Sequence, residues 1–255
     1  MFHTTEYIFE LLGTALLIFL SFTGVYVSNL LGMPALLQYV TVGLFAAAAI
    51  LIVIYSFLGK RSGGHINPSV TIAFWMDGFL EKMDAIFYIL SQLVGGVIGA
   101  WVAYALYRGT ARNNMLSFPT VDYPVGVVWV LEFVITLLLI TVVFTFSRST
   151  KWGPYTGWGV AIYAFLITVV FASVSDLSLN PAVSFGTAVL FALWGPLVIY
   201  STAAVVGTVA AVYFLRSEAA KPICPKMCHK TREECLFTCT CEYKSELPRS
   251  MRSNA

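Results

Sequence analysis

Gly63-Gly64-His65-Ile66-Asn67-Pro68-Ser69-Val70-Thr71 and Asp176-Leu177-Ser178-Leu179-Asn180-Pro181-Ala182-Val183-Ser184-Phe185-Gly186 share one signature, Asn-Pro-small-Val, with 113 positions between the two asparagines. Asparagine is a good helix N-cap, and proline suits the first helical position, where a missing N–H is no loss. Each stretch therefore reads as a helix start. The apolar run after each Pro lasts only about ten residues before Asp77-Gly78 or Trp194-Gly195-Pro196 interrupts it. At ~1.5 Å per residue that is about 15 Å, half of a hydrocarbon core of ~30 Å. Two half-spanning helices, expected at 68–76 and 181–190, bring their positive N-terminal ends to mid-membrane.

The rest of the chain supplies the membrane setting. Of 255 residues, 58% are hydrophobic and 11% charged, with a mean hydropathy of +0.81. Soluble domains carry roughly 25% charged residues, so an all-α integral membrane protein is expected. Six spans emerge near 6–28, 39–59, 84–107, 126–147, 156–175 and 194–215, separated by turn and charge signals such as Gly32-Met33-Pro34 and Lys60-Arg61-Ser62-Gly63-Gly64. Met1 to Glu10 has no basic n-region, and no cleavable signal is expected there. Residues 1–215 form a single bundle, and 216–255 form a tail of different composition holding all five cysteines.

The order repeats. Glu10 lies in the first span and Glu132 early in the fourth, 57 and 48 residues ahead of the asparagine of their half. Three spans per repeat is an odd number, so the halves lie inverted and the half-helices enter from opposite faces. An intramembrane carboxylate needs donors. Glu10 and Glu132 are expected to accept N–H bonds from the irregular backbone leading to each half-helix. Gly95, Gly96, Gly99 and Ala100, with Ala203, Ala204, Gly207 and Ala210, mark close helix packing. With both termini inside, Lys60, Arg61, Lys82, Arg148 and Lys151 fall in inner loops and only Arg108 and Arg112 in outer ones, so both termini are expected in the cytoplasm.

Over residues 6–215 the chain resembles the major intrinsic protein family, the aquaporins and aquaglyceroporins: six spans, the paired Glu, Ser-Gly-Gly-His-Ile-Asn-Pro, and Asn-Pro-Ala followed by Ser-Phe-Gly. The resemblance implies an hourglass of six helices and two half-helices, a homotetramer, and a pore in each protomer for water and small neutral solutes. The pore centre would comprise Asn67, Pro68 and Ser69 with Asn180, Pro181 and Ala182, the two asparagine amides donating to the permeant molecule. His65 is expected at the inner vestibule, where histidine can titrate near neutrality.

Two residues depart from the family pattern. Ser69 stands for the usual Ala and adds a hydroxyl. Val183 stands where most members carry the arginine of the outer constriction. Family spacing places the other filter positions at Ala47, Thr168 and Leu177, or at Phe45 if span two shifts by two residues. The expected filter carries no charge and no aromatic ring, and only the Thr168 hydroxyl. Without a guanidinium it should be wider and greasier, favouring glycerol, ammonia, urea or hydrogen peroxide over water, and a narrow apolar ring could instead dewet. Arg112 is read as a solvated loop cation.

The tail carries Cys224, Cys228 and His229, then Cys235, Cys239 and Cys241. Zinc binding, palmitoylation at Cys224 and Cys228, and an unstructured trafficking or redox segment all remain open; the spacing is not that of a common zinc pair. No cofactor, nucleic-acid contact or enzymatic grouping is expected. The alternative to a solute channel is an ion-conducting or non-conducting interaction member acting through this tail.

Overall fold

The computed structural model describes residues 3–107, 123–149, 151–175 and 178–215. Arg108, Arg112, Leu177 and every cysteine lie outside them. The described chain is helical: α1 (Thr4–Leu30), α2 (Ala35–Tyr55), α3 (Phe57–Ser62), α4 (Pro68–Met76), α5 (Lys82–Tyr107), α6 (Val125–Ser147), α7 (Thr156–Phe171), α8 (Pro181–Phe191) and α9 (Trp194–Leu215). Among the described residues, six helices are long and apolar enough to cross a membrane: α1, α2, α5, α6, α9, and α7 together with the turn of 3-10 helix before it. α6 is rich in Val, Ile and Thr, which disfavour helices in water. In lipid each backbone N–H and C=O must be satisfied within the chain, and that requirement overrides side-chain preference.

The two halves pack alike. α5 lies on α1 as α9 lies on α6, and α2 pairs with α7 across the middle. Each half-helix also crosses over, α8 packing on α5 and α4 on α9. Small residues set these distances. A Cβ on Gly95 or Gly99 would stand 2.3 or 2.4 Å from the carbonyls of Leu11 and Ala15 in α1, and one on Gly207 would stand 2.5 Å from Phe133 O in α6. Gly96 and Gly186 seat α8 against α5 with the same closeness, 2.4 Å from Ala182 O and Gly96 O.

The observed half-helices, Pro68–Met76 and Pro181–Phe191, agree with the expected ranges to within a residue. Three span boundaries differ by four residues, the first being the start of span two, at Ala35 rather than 39. Span two was expected to reach residue 59, but α2 stops at Tyr55, where Ser56 turns extended and caps α3 by accepting from Leu58 N at 3.2 Å. α3 ends at Gly63 and Gly64, whose φ of +96° and +61° lie in the left-handed region that favours glycine. Span five ends at Phe171 rather than 175, because the chain must turn there to bring Ser175 and Ser178 to Glu132.

Candidate functional site

α4 and α8 meet tip to tip. Asn67 Oδ1 accepts from Ser69 N at 2.8 Å and Asn180 Oδ1 accepts from Ala182 N at 3.0 Å, so each carboxamide caps its own helix. The amide nitrogens then point across: Asn67 Nδ2 donates to Leu179 O at 3.1 Å, and Asn180 Nδ2 donates to Ile66 O at 2.8 Å. The orientation of both amides is thereby assigned from their partners. Each Nδ2 carries two hydrogens, so after the cross-bond one remains on each side.

The carbonyls that accept these bonds belong to strained residues. Ile66 has φ +41° and Leu179 φ +35°, left-handed values that disfavour branched side chains by roughly 1–3 kcal/mol each. Two buried carboxylates hold them. Glu10 is fully buried and accepts from His65 N (3.0 Å) and Ser62 Oγ (2.7 Å) on one oxygen, and from Ile66 N (2.6 Å) and Gln92 Nε2 (2.8 Å) on the other. Glu132, also fully buried, accepts from Ser178 N and Leu179 N, each at 3.1 Å, and from Ser175 Oγ. Each carboxylate thus ties the two residues immediately before its asparagine.

Both asparagines line one cavity of about 180 Å³. Its walls extend to either side of them. From α2 come Val42, Ala46, Ile50 and Ile54, one row of a helix spanning about 18 Å. From α7 come Val160, Tyr163, Ala164 and Thr168, with its C-cap Ala172, and from α1 Leu17, Ser21, Phe22 and Val25. Val183, Ser184 and Thr187 of α8 close the half farther from the chain ends, and Gly64 and His65 border the other. His65 is 1% exposed, stacks on Phe74 at 5.0 Å and shares a hydrogen bond with Thr71 Oγ1 at 3.2 Å. Thr71 continues to Gln92 at 2.9 Å and so to Glu10.

Of the expected filter residues, Thr168 and Val183 line the cavity and Leu177 lies outside the described residues. Ala47 does not line it. It packs against the buried core, and Ala46, one residue earlier and about 100° round the helix, takes the wall position. Phe45 lies against α1 beside Gly24, where an added Cβ would stand 3.1 Å from its own. Ser69 is fully buried, so its hydroxyl adds nothing to the cavity wall. Pro68 and Pro181 are buried at the first helical positions, and Ala182 is buried under Gly96.

The contribution of α1 was missed. Counting from Asn67 and Asn180 addresses only span two, span five and the loop between span five and α8, yet Phe22 brings an aromatic ring beside Val183. Tyr163 adds a second ring, its hydroxyl anchored to Ile135 O at 2.5 Å. The Ser21 hydroxyl beside Phe22 was the available signal, but span one also carries Thr14, Thr23 and Ser28, so it did not stand out.

Charged side chains collect at the end bearing Thr4 and Leu215. Arg61 pairs with Glu6 at 3.0 Å. Arg148 caps α9 by donating to Leu215 O at 2.7 Å and reaches Asp77, the C-cap of α4, at 3.4 Å.

The family described as "MIP: Major intrinsic protein" matches residues 2–214. Probable aquaporin NIP7-1 of Arabidopsis thaliana is 33% identical over 221 residues, covering 83% of this chain and 76% of that protein. Glycerol uptake facilitator protein-like 6 of Lactiplantibacillus plantarum is 28% identical over 221 residues, covering 83% and 96%. Aquaporin-5 of Sus scrofa is 34% identical over 146 residues, with 54% of each chain covered, so the chain spans about half the length of the aquaporin-5 relatives it matches. Among solved structures, the aquaglyceroporin from Plasmodium falciparum superposes with a TM-score of 0.73 at 21% identity, covering 84% of this chain and 95% of that one, a likeness of fold. With the family matched over residues 2–214, a six-span bundle and two half-helices joined at their asparagines, this chain is an integral membrane protein belonging to the major intrinsic protein family.

Proposed function

We propose that the chain is a passive channel for water and small neutral solutes of the glycerol, urea, ammonia and hydrogen peroxide class, with no covalent chemistry. The observation that carries this reading is the cavity past Asn67 and Asn180, whose amides are fixed by their own caps and by each other. Fixed donors orient each passing molecule, and two positive helix ends at the same level repel cations. Val183 in place of a guanidinium leaves the outer half without a fixed cation. Solutes larger than water and richer in carbon are expected to pass there more readily than through an arginine-bearing neck.

The basic residues at the end bearing Thr4 and Leu215 support a cytoplasmic position for both termini. A homotetramer is the assembly the family implies, and chemical cross-linking in the membrane would test it. Swelling of proteoliposomes in water, glycerol, urea and ammonia gradients tests the channel itself, with rates above those of empty vesicles expected. Rates no higher than empty vesicles for every solute would refute it. The missing guanidinium also favours one alternative, an ion pathway, for which voltage-clamp current without solute flux would be the sign.

A further inference from the structure

Of the hydroxyl side chains that line the half of the cavity farther from the chain ends, three from three different helices bond back to their own backbone: Ser21 of α1, Thr168 of α7 and Thr187 of α8. Each spends its proton on its own helix. Ser21 Oγ donates to Leu17 O at 2.8 Å, Thr168 Oγ1 to Ala164 O at 2.7 Å, and Thr187 Oγ1 to Val183 O at 2.9 Å. A hydroxyl has one proton and two lone pairs, so a group bonded back to its own helix offers only acceptor capacity to the lumen. The neighbouring wall side chains Phe22, Val25, Val42, Ala172 and Val183 have no polar atom, and Ser184 Oγ is paired with Ser178 Oγ. Side-chain N–H donors facing the cavity at this level are absent among the described residues. The asparagine amides lie deeper.

We propose, resting on the channel reading of this same cavity, that Ser21, Thr168 and Thr187 form an acceptor ladder that selects solutes by the number of hydrogens they can donate. A solute entering the narrow section gives up water on both its donors and its acceptors. The wall can replace the bonds of the donors and leaves the acceptors unmet, and an unmet buried polar group is costly. Donor-rich solutes therefore pass with least loss. Acceptor-only solutes of the same size lose their water without compensation. An arginine at Val183 would reverse this preference, because it would present donors at the same level.

Urea, acetamide and dimethyl sulfoxide have the same number of non-hydrogen atoms and carry four, two and no N–H donors. The test measures their entry into proteoliposomes of the full chain, each rate taken as the increment over empty vesicles. The expected order is urea, then acetamide, then dimethyl sulfoxide. Thr187→Val and Thr168→Val preserve volume and remove the acceptor. Each should lower the urea increment about fivefold while leaving that of dimethyl sulfoxide unchanged. Thr187→Ser, which keeps the hydroxyl, should restore urea entry. Equal increments for urea and dimethyl sulfoxide in the wild-type protein would overturn the ladder and leave the channel standing, and so would valine variants with an unchanged ratio. No increment for any solute, water included, would overturn the channel reading itself.

Discussion

Replacing Glu10 by Gln tests how the half-helix tip is held. The side chain keeps its size and loses one acceptor oxygen. Each oxygen of Glu10 accepts two bonds, from Ser62 and His65 N on one side and from Ile66 N and Gln92 on the other. Whichever way the new amide turns, two buried donors face an –NH2 group. At about 1–3 kcal/mol per unsatisfied buried group, Glu10→Gln should lose about 2–6 kcal/mol. For a chain of this size that corresponds to a fall in unfolding temperature on the order of 10 °C. Ile66, held at φ +41°, would lose its pin in the orientation that spoils the second pair, and with it the carbonyl that receives Asn180. The assay is thermal unfolding of the detergent-solubilised protein, paired with water entry into proteoliposomes. A variant that melts with the wild type and conducts equally would refute the view that this carboxylate supports the tip.

The remaining expectations concern packing and the neck. Gly96→Ala would place a methyl 2.4 Å from Ala182 O, forcing α5 and α8 apart, so it should lower thermal stability by at least about 1–3 kcal/mol. Gly126→Ala meets nothing within 4 Å and lies inside α6, where alanine favours the helix by about 0.5–1 kcal/mol over glycine, so it should hold or slightly raise the unfolding temperature, which makes it the control. Val183→Arg should reduce glycerol entry while sparing water, read by the swelling assay; unchanged glycerol entry would mean that Val183 lies off the constriction. Arg148→Met would uncap Leu215 O and release Asp77, so loss of about 1–3 kcal/mol is expected by the same thermal assay.

The half-helices were legible because Asn-Pro is a local signal: capping and proline stereochemistry fix a helix start whatever surrounds it. The carboxylates were legible for a related reason, since Glu10, one turn deeper in its span than Glu6, and Glu132, the one charge in its helix, sit among apolar residues and need donors. Rotation of the spans about their axes was not legible. α2 is apolar on every side, so no stripe marks the face toward the cavity, and its register had to be counted from Asn67. That count passes through Ser56, α3, Gly63 and Gly64, a segment whose bends reset the helix phase, and it reached Ala47 where the wall has Ala46. Ser69 was expected at the centre from the family resemblance, but the first turn of α4 directs it into the protein. Phe22 and Tyr163 escaped notice because one aromatic residue in an apolar helix looks like any other core residue until its neighbours are known.

The central claim is that solutes cross where the two asparagines meet. Asn180→Leu puts a branched apolar side chain at that point and removes the donor. At incorporation equal to the wild type, water and urea entry into proteoliposomes should fall to the level of empty vesicles. Entry at the wild-type rate would place the path elsewhere and contradict the account.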